Sequence, residues 1–101
     1  MIRHIVLFAF KDELPPAKQQ EALGRFRALK GLISDVGKME DGVNISNEGM
    51  DQGLTHCFLM DFADTGARDR YLVHPSHKDF VGYIVPLCKN AIIADFEPGR
   101  K

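Results

Sequence analysis

The stretch Tyr71-Leu72-Val73-His74-Pro75-Ser76-His77 holds two of the chain's four histidines and one of its two tyrosines. An imidazole titrates near neutral pH, and when positioned on a reacting group it contributes typically about 10²- to 10⁴-fold in rate. A phenol beside it can donate a hydrogen bond to a carbonyl oxygen as charge develops there. Together they suit proton abstraction next to a carbonyl, followed by carbon–carbon bond formation or elimination. Tyr71 and His77 are therefore the candidate catalytic pair. His74 has a structural alternative: Pro75 pushes it out of helical backbone, so its ring can cap a helix end as a cation favoured by the dipole. His74 and His77 are loosely spaced as metal ligands, but no carboxylate stands beside them in a recognised metal pattern, so no metal is expected.

These groups need elements to hold them. Ile2 to Phe10 reads as a strand, with Ile2, His4, Val6, Phe8 and Phe10 on one face and Arg3, Ile5, Leu7 and Ala9 on the other. Both faces are largely apolar, which fits a strand covered on both sides. Helices of so small a domain can cover only one of them, so the second cover is a second copy of the chain. Ala17 to about Val36 has helical periodicity through Leu23, Phe26, Leu29 and Ile33. Gly24 and Gly31 interrupt it, and their expected use is close packing on the sheet or room for a ligand beside Phe26. Gly37 to Ser46 is a weak polar strand, and residues 47–53 form a loop. Leu54 to Phe62 is a second strong strand, with His56, Phe58, Met60 and Phe62 on one face. Asp64-Thr65 caps a short helix that Pro75 ends at Val73. Pro75 or Ser76 begins another helix through Phe80, Tyr83, Ile84 and Leu87, and Ala91 to Phe96 is the last strand.

The order β-α-β-β-α-β, with its second α split in two, is ferredoxin-like and α+β. The expectation drawn from it sets the first and third strands side by side and parallel at the centre of the sheet. All four histidines would then converge on one cavity. His4, His56, His74 and Phe26 are on this basis the candidate substrate-binding residues. His4 and His56 have an equal alternative as core histidines bonded to backbone carbonyls.

The 101 residues amount to one domain, 1–101, able to bury about 60–65% of its unfolded surface. A net charge of −1 with both signs interspersed leaves no basic stripe for nucleic acid and little attraction to an anionic membrane. Cys57 and Cys88 lie in separate apolar runs and read as free thiols. With no signal-peptide pattern at the start and no apolar run long enough for a membrane span, a reducing cytosol is the expected setting.

The opening His4-Ile5-Val6-Leu7-Phe8-Ala9-Phe10-Lys11, the pair Thr55-His56, the Tyr71–His77 stretch and the ending Asp95-Phe96 resemble the stress-responsive A/B barrel (Dabb) domain across essentially the whole chain. The resemblance implies a homodimeric α+β barrel in which two ferredoxin-like sheets pack face to face. It also implies kinship with polyketide-cyclising members that work without metal or organic cofactor. By that likeness His77 is the general base, Tyr71 holds the substrate carbonyl, and His4 and His56 line the pocket. The expected function is a small-molecule pocket with cofactor-free, cyclase- or lyase-like chemistry on a carbonyl or polyketide-type compound. The alternatives are a non-catalytic stress-responsive dimer that binds a ligand or partner, and, more weakly, a cofactorless monooxygenase on the same barrel.

Overall fold

Alternation in the first strand sets the layers. In the computed structural model, which describes residues 1–101, β1 (Ile2–Phe10) buries Ile2, His4, Val6, Phe8 and Phe10 while Arg3, Ile5 and Leu7 are only half-buried. Prolines 15 and 16 start α1 (Pro16–Leu32), Pro16 occupying the first turn, where no amide donor is needed. There follow β2 (Met39–Val43), β3 (His56–Phe62), α2 (Thr65–Val73), α3 (Pro75–Ile84), a single 3₁₀ turn at Val85–Leu87 and β4 (Cys88–Phe96). The sheet order is β2-β3-β1-β4, and every neighbouring pair is antiparallel.

The expected parallel pairing of the first and third strands is therefore wrong. The crossover through α1 makes β2 run with β1, and β3 returns from β2 to lie between them, antiparallel to both. The consequence is a large shift in register. His4 opposes Met60, whereas His56 opposes Phe8, four residues further along β1. At about 3.3 Å per residue that separates the two histidines by roughly 13 Å along the sheet.

All three helices pack on the face carrying the even residues of β1. Ala22, Leu23, Phe26 and Leu29 of α1 meet Val6, Phe8, Phe58, Met60 and Phe62 in one core, joined by Ala67, Tyr71 and Phe80. The Phe26 and Phe58 rings stack at 3.7 Å with an interplanar angle of 4°. The chain leaves the helix at Ile33, short of the expected Val36, but Ile33 and Val36 stay buried as an extended connection. Gly24 and Gly31 do neither of the things expected of them: both are exposed, and a Cβ on either would meet nothing within 4 Å.

The opposite sheet face has no cover within the chain. Ile5, Leu7, Cys57 and Leu59 sit there half-buried, flanked by the exposed Ile92 and Phe96 of β4. The molecule is accordingly thin, 37 × 33 × 17 Å. No helix is long and apolar enough to cross a membrane.

Candidate active site

A cavity of about 310 Å³ opens between the sheet and α3. Its volume lies at the lower end of the range for small-molecule sites, roughly 300–1,000 Å³. His4, Tyr71 and His77 form its polar end, Phe26 and Phe80 its apolar floor, and β4 one side as far as Ile93.

The α2–α3 junction positions the pair read from the sequence. Asp64 accepts a hydrogen bond from the Ala67 amide at 2.8 Å and caps the start of α2, as its place before Thr65 suggested. Nine residues later α2 ends at Val73, leaving carbonyls that need partners. The His74 amide donates to the Tyr71 carbonyl at 3.1 Å, and His77 Nδ1 lies 3.1 Å from the Leu72 carbonyl. A carbonyl can only accept, so Nδ1 of His77 carries the proton and Nε2 keeps its lone pair. Burial pushes the His77 pKa below its ordinary value; the Leu72 carbonyl opposes that shift, and the nearby His4 and His74 reinforce it. At neutral pH His77 is thus an uncharged base.

Tyr71 is 2% exposed, its ring 4.4 Å from that of His77 and 6.0 Å from that of His4, centroid to centroid. Burial pushes its hydroxyl well above the ordinary phenol range, so it remains a donor. His4 is 4% exposed, and its Nδ1 sits 2.5 Å from Asp95 Oδ1. The other oxygen of Asp95 accepts from Arg68 Nη1 at 3.1 Å. The chain Arg68–Asp95–His4 holds the imidazole by Nδ1–H and leaves its Nε2 unbonded.

Two of the four histidines share the cavity, not all of them. His74 lies outside its lining, with its ring committed to the junction: Nδ1 accepts from the Ser76 amide at 3.0 Å and caps the start of α3. Its capping role is real, but as a neutral acceptor at a helix start and not as a cation at a helix end. His56 stacks on Phe8, meets Phe10 edge-on and bonds the Thr55 hydroxyl at 2.8 Å, bordering a separate shallow hollow with Lys11 and Lys89. Asp95 and Arg68 carry no role in a reading of the sequence. The available signal is parity: Asp95 shares the inward face of the last strand with Ala91 and Ile93. No group of three His, Cys, Asp or Glu side chains is arranged to hold a metal ion.

A sequence model of the family described as Stress responsive A/B Barrel Domain matches residues 2–98. The stress-response A/B barrel domain-containing protein HS1 of Arabidopsis thaliana is 29% identical over 97 residues, covering 96% of this chain and 89% of that protein. Olivetolic acid cyclase of Cannabis sativa is 24% identical over 102 residues, covering 98% of each. Among solved structures, hydroxynitrile lyase from Passiflora edulis superposes with a TM-score of 0.92 at 17% identity, covering 99% of this chain and 94% of that one, a likeness of fold. A dimeric ferredoxin-like protein from Jannaschia sp. CCS1 gives a TM-score of 0.81 at 26% identity, covering 95% and 97%.

Proposed function

The chain belongs to the stress-responsive A/B barrel family, and from that premise we propose that it is a homodimer whose cavity binds a small carbonyl compound and moves its α-proton without a cofactor. The observation that carries the reading is the pairing of an uncharged His77, its Nε2 free, with the Tyr71 hydroxyl in an apolar cavity of about 310 Å³. His77 Nε2 takes the proton from carbon, while Tyr71 donates a hydrogen bond to the oxygen on which enolate charge collects. His4, held by Asp95, supplies a second imidazole edge to the same space. The enolate then attacks a second carbonyl or expels a leaving group, and His77 returns its proton. Kinship with olivetolic acid cyclase across the whole chain supports this class of reaction. Phe8, Phe26 and Phe80 line the cavity without filling it, which favours a ligand-accepting reading over a purely structural dimer.

The dimer is supported by the uncovered apolar face around Ile5, Leu7 and Ile92, and by the dimeric protein of the same fold. The cytosol suits the unpaired thiols of Cys57 and Cys88.

Deuterium uptake at the α-carbon of a panel of 1,3-dicarbonyl and 3-oxo-thioester compounds, followed by NMR in D₂O, tests the chemistry. The expected result is protein-dependent exchange, reduced about 10²- to 10⁴-fold in His77→Ala and less in Tyr71→Phe. Exchange that survives His77→Ala in a folded protein would remove the catalytic role. The pH profile has a definite sign. Since the His77 pKa lies below its ordinary 6.5, the base is intact at neutral pH and the rate falls only as pH drops below that value. The same depression makes the neutral ring a stabilising feature above pH 6.5, lost as acid protonates it.

A further inference from the structure

The cavity lacks one wall. Its β4 side is Lys89, Asn90, Ala91 and Ile93, and Ile93 is 64% exposed; across the gap on the α3 side, Val85 is 61% exposed. An apolar rim facing water on both sides asks for a cover. The chain also carries an apolar group with nothing to cover: the β2–β3 connection, residues 44–55, holds out Ile45 at 91% and Met50 at 83% exposure, beside the exposed Val43. That loop is a built structure. Asn44 Nδ2 donates to Asp51 Oδ2 and to the Leu54 carbonyl, both at 2.8 Å, and Gly49, Gln52 and Gly53 take left-handed backbone.

We propose that the β2–β3 loop of each protomer closes the cavity of its partner, so that each site is completed by a second copy of the chain. This rests on the homodimer proposed above. The sheet topology carries the placement. β2 and β4 are opposite edges of the sheet. When two such sheets pack through their uncovered faces about a two-fold axis along the strands, β2 of one lies over β4 of the other. The loop leaves the sheet at the end where Val43 opposes His56, His56 opposes Phe8, and Phe8 opposes Ala91. This axis preserves that end, so the partner's loop arrives at Lys89–Ala91, where the wall is missing. A two-fold axis across the strands would set β2 over β2 and leave the rim bare. Face-to-face sheets stand about 10 Å apart, and half of a twelve-residue loop spans at most roughly 20 Å, so the edge of β4 lies within its limit. The loop itself, residues 44–55, carries Glu48 and Asp51 and no basic residue, and Lys11 stands at the end of the sheet it approaches, where Lys89 is already paired with Asp12 at 2.6 Å.

Cross-linking tests it. In a Cys57→Ser, Cys88→Ser background, an Ile45→Cys chain is mixed with an Ile93→Cys chain and treated with a short bismaleimide. A covalent dimer from the mixture, and from neither chain alone, is the expected result. A dimer by sedimentation that does not cross-link overturns the loop closure and leaves the dimer standing; a monomer overturns both. The second measurement uses the native cysteines. Binding of 1-anilinonaphthalene-8-sulfonate should weaken about fivefold or more in Ile45→Asp with Met50→Asp while the sedimentation coefficient holds. Unchanged dye affinity in that dimer contradicts the proposal.

Discussion

The two sides of the cavity are built in opposite ways. On the α2–α3 side the backbone of the junction is engaged: the Tyr71 and Leu72 carbonyls, the His74 ring and the Ser76 amide all find partners within the chain. Tyr71 and Phe80 on that side are buried. On the β4 side, residues from Lys89 to Phe96 are exposed on both faces of the strand. The first side is complete in one chain, and its side chains are fixed before any ligand arrives, as the proposed role of His77 requires. The second is an edge strand of an unfinished sheet face. A single chain therefore supplies the proposed catalytic pair but not its enclosure.

Breaking the unfinished side should have the largest effect. Leu7 stands at the centre of the uncovered face, opposite Cys57 on one neighbour and Ile92 on the other. Leu7→Asp would bury an unpaired carboxylate in a dimer contact, at a cost of several kcal/mol. Sedimentation should then show monomer, while circular dichroism keeps the helix content of the wild type. If Leu7→Asp remains dimeric, β4 and this face are covered in some other way.

The finished side should respond less and without dissociation. His74→Ala removes the acceptor for the Ser76 amide and should lower stability by about 1 kcal/mol, the usual value of an N-cap. His74→Asn supplies an acceptor again and should recover most of it, read from urea midpoints. Equal loss in both variants would mean that the imidazole's packing, not its lone pair, holds the junction.

The same contrast explains what can be read from the sequence. The α2–α3 side is local: Asp64, Pro75 and the Tyr71–His77 spacing are contiguous, so the caps, the helix break and the candidate pair are all legible. The antiparallel sheet is harder to see, although the chain order contains it, because a hairpin return from β2 necessarily opposes a β1 that runs with β2. Assigning β1 and β3 as parallel brings His56 next to His4 and produces a four-histidine cavity that the true register rules out. Asp95 figures in the sequence only as part of the Dabb-like ending and without a role, because a lone acid near the end of an exposed strand looks solvated; the strand pairing with β1 turns it toward His4. The first residues of β4, Cys88 to Asn90, are missed because cysteine, lysine and asparagine carry little β signal, while their pairing with Ala9 and Phe10 supplies it.

The smallest effect tests whether α1 shapes the cavity at all. Phe26 is part of the floor, and Gly24 two residues before it is expected from the sequence to give a ligand room or let the helix approach the sheet. The structure gives Gly24 to solvent, with nothing within 4 Å of the methyl group an alanine would add. Gly24→Ala should then act only through helix propensity, by reducing the freedom of the unfolded chain, and stabilise by about 0.5–1 kcal/mol. Dye affinity and α-proton exchange should be those of the wild type. A gain in stability paired with weaker binding would mean that α1 moves toward the ligand, and that this side of the cavity too is less fixed than its packing indicates.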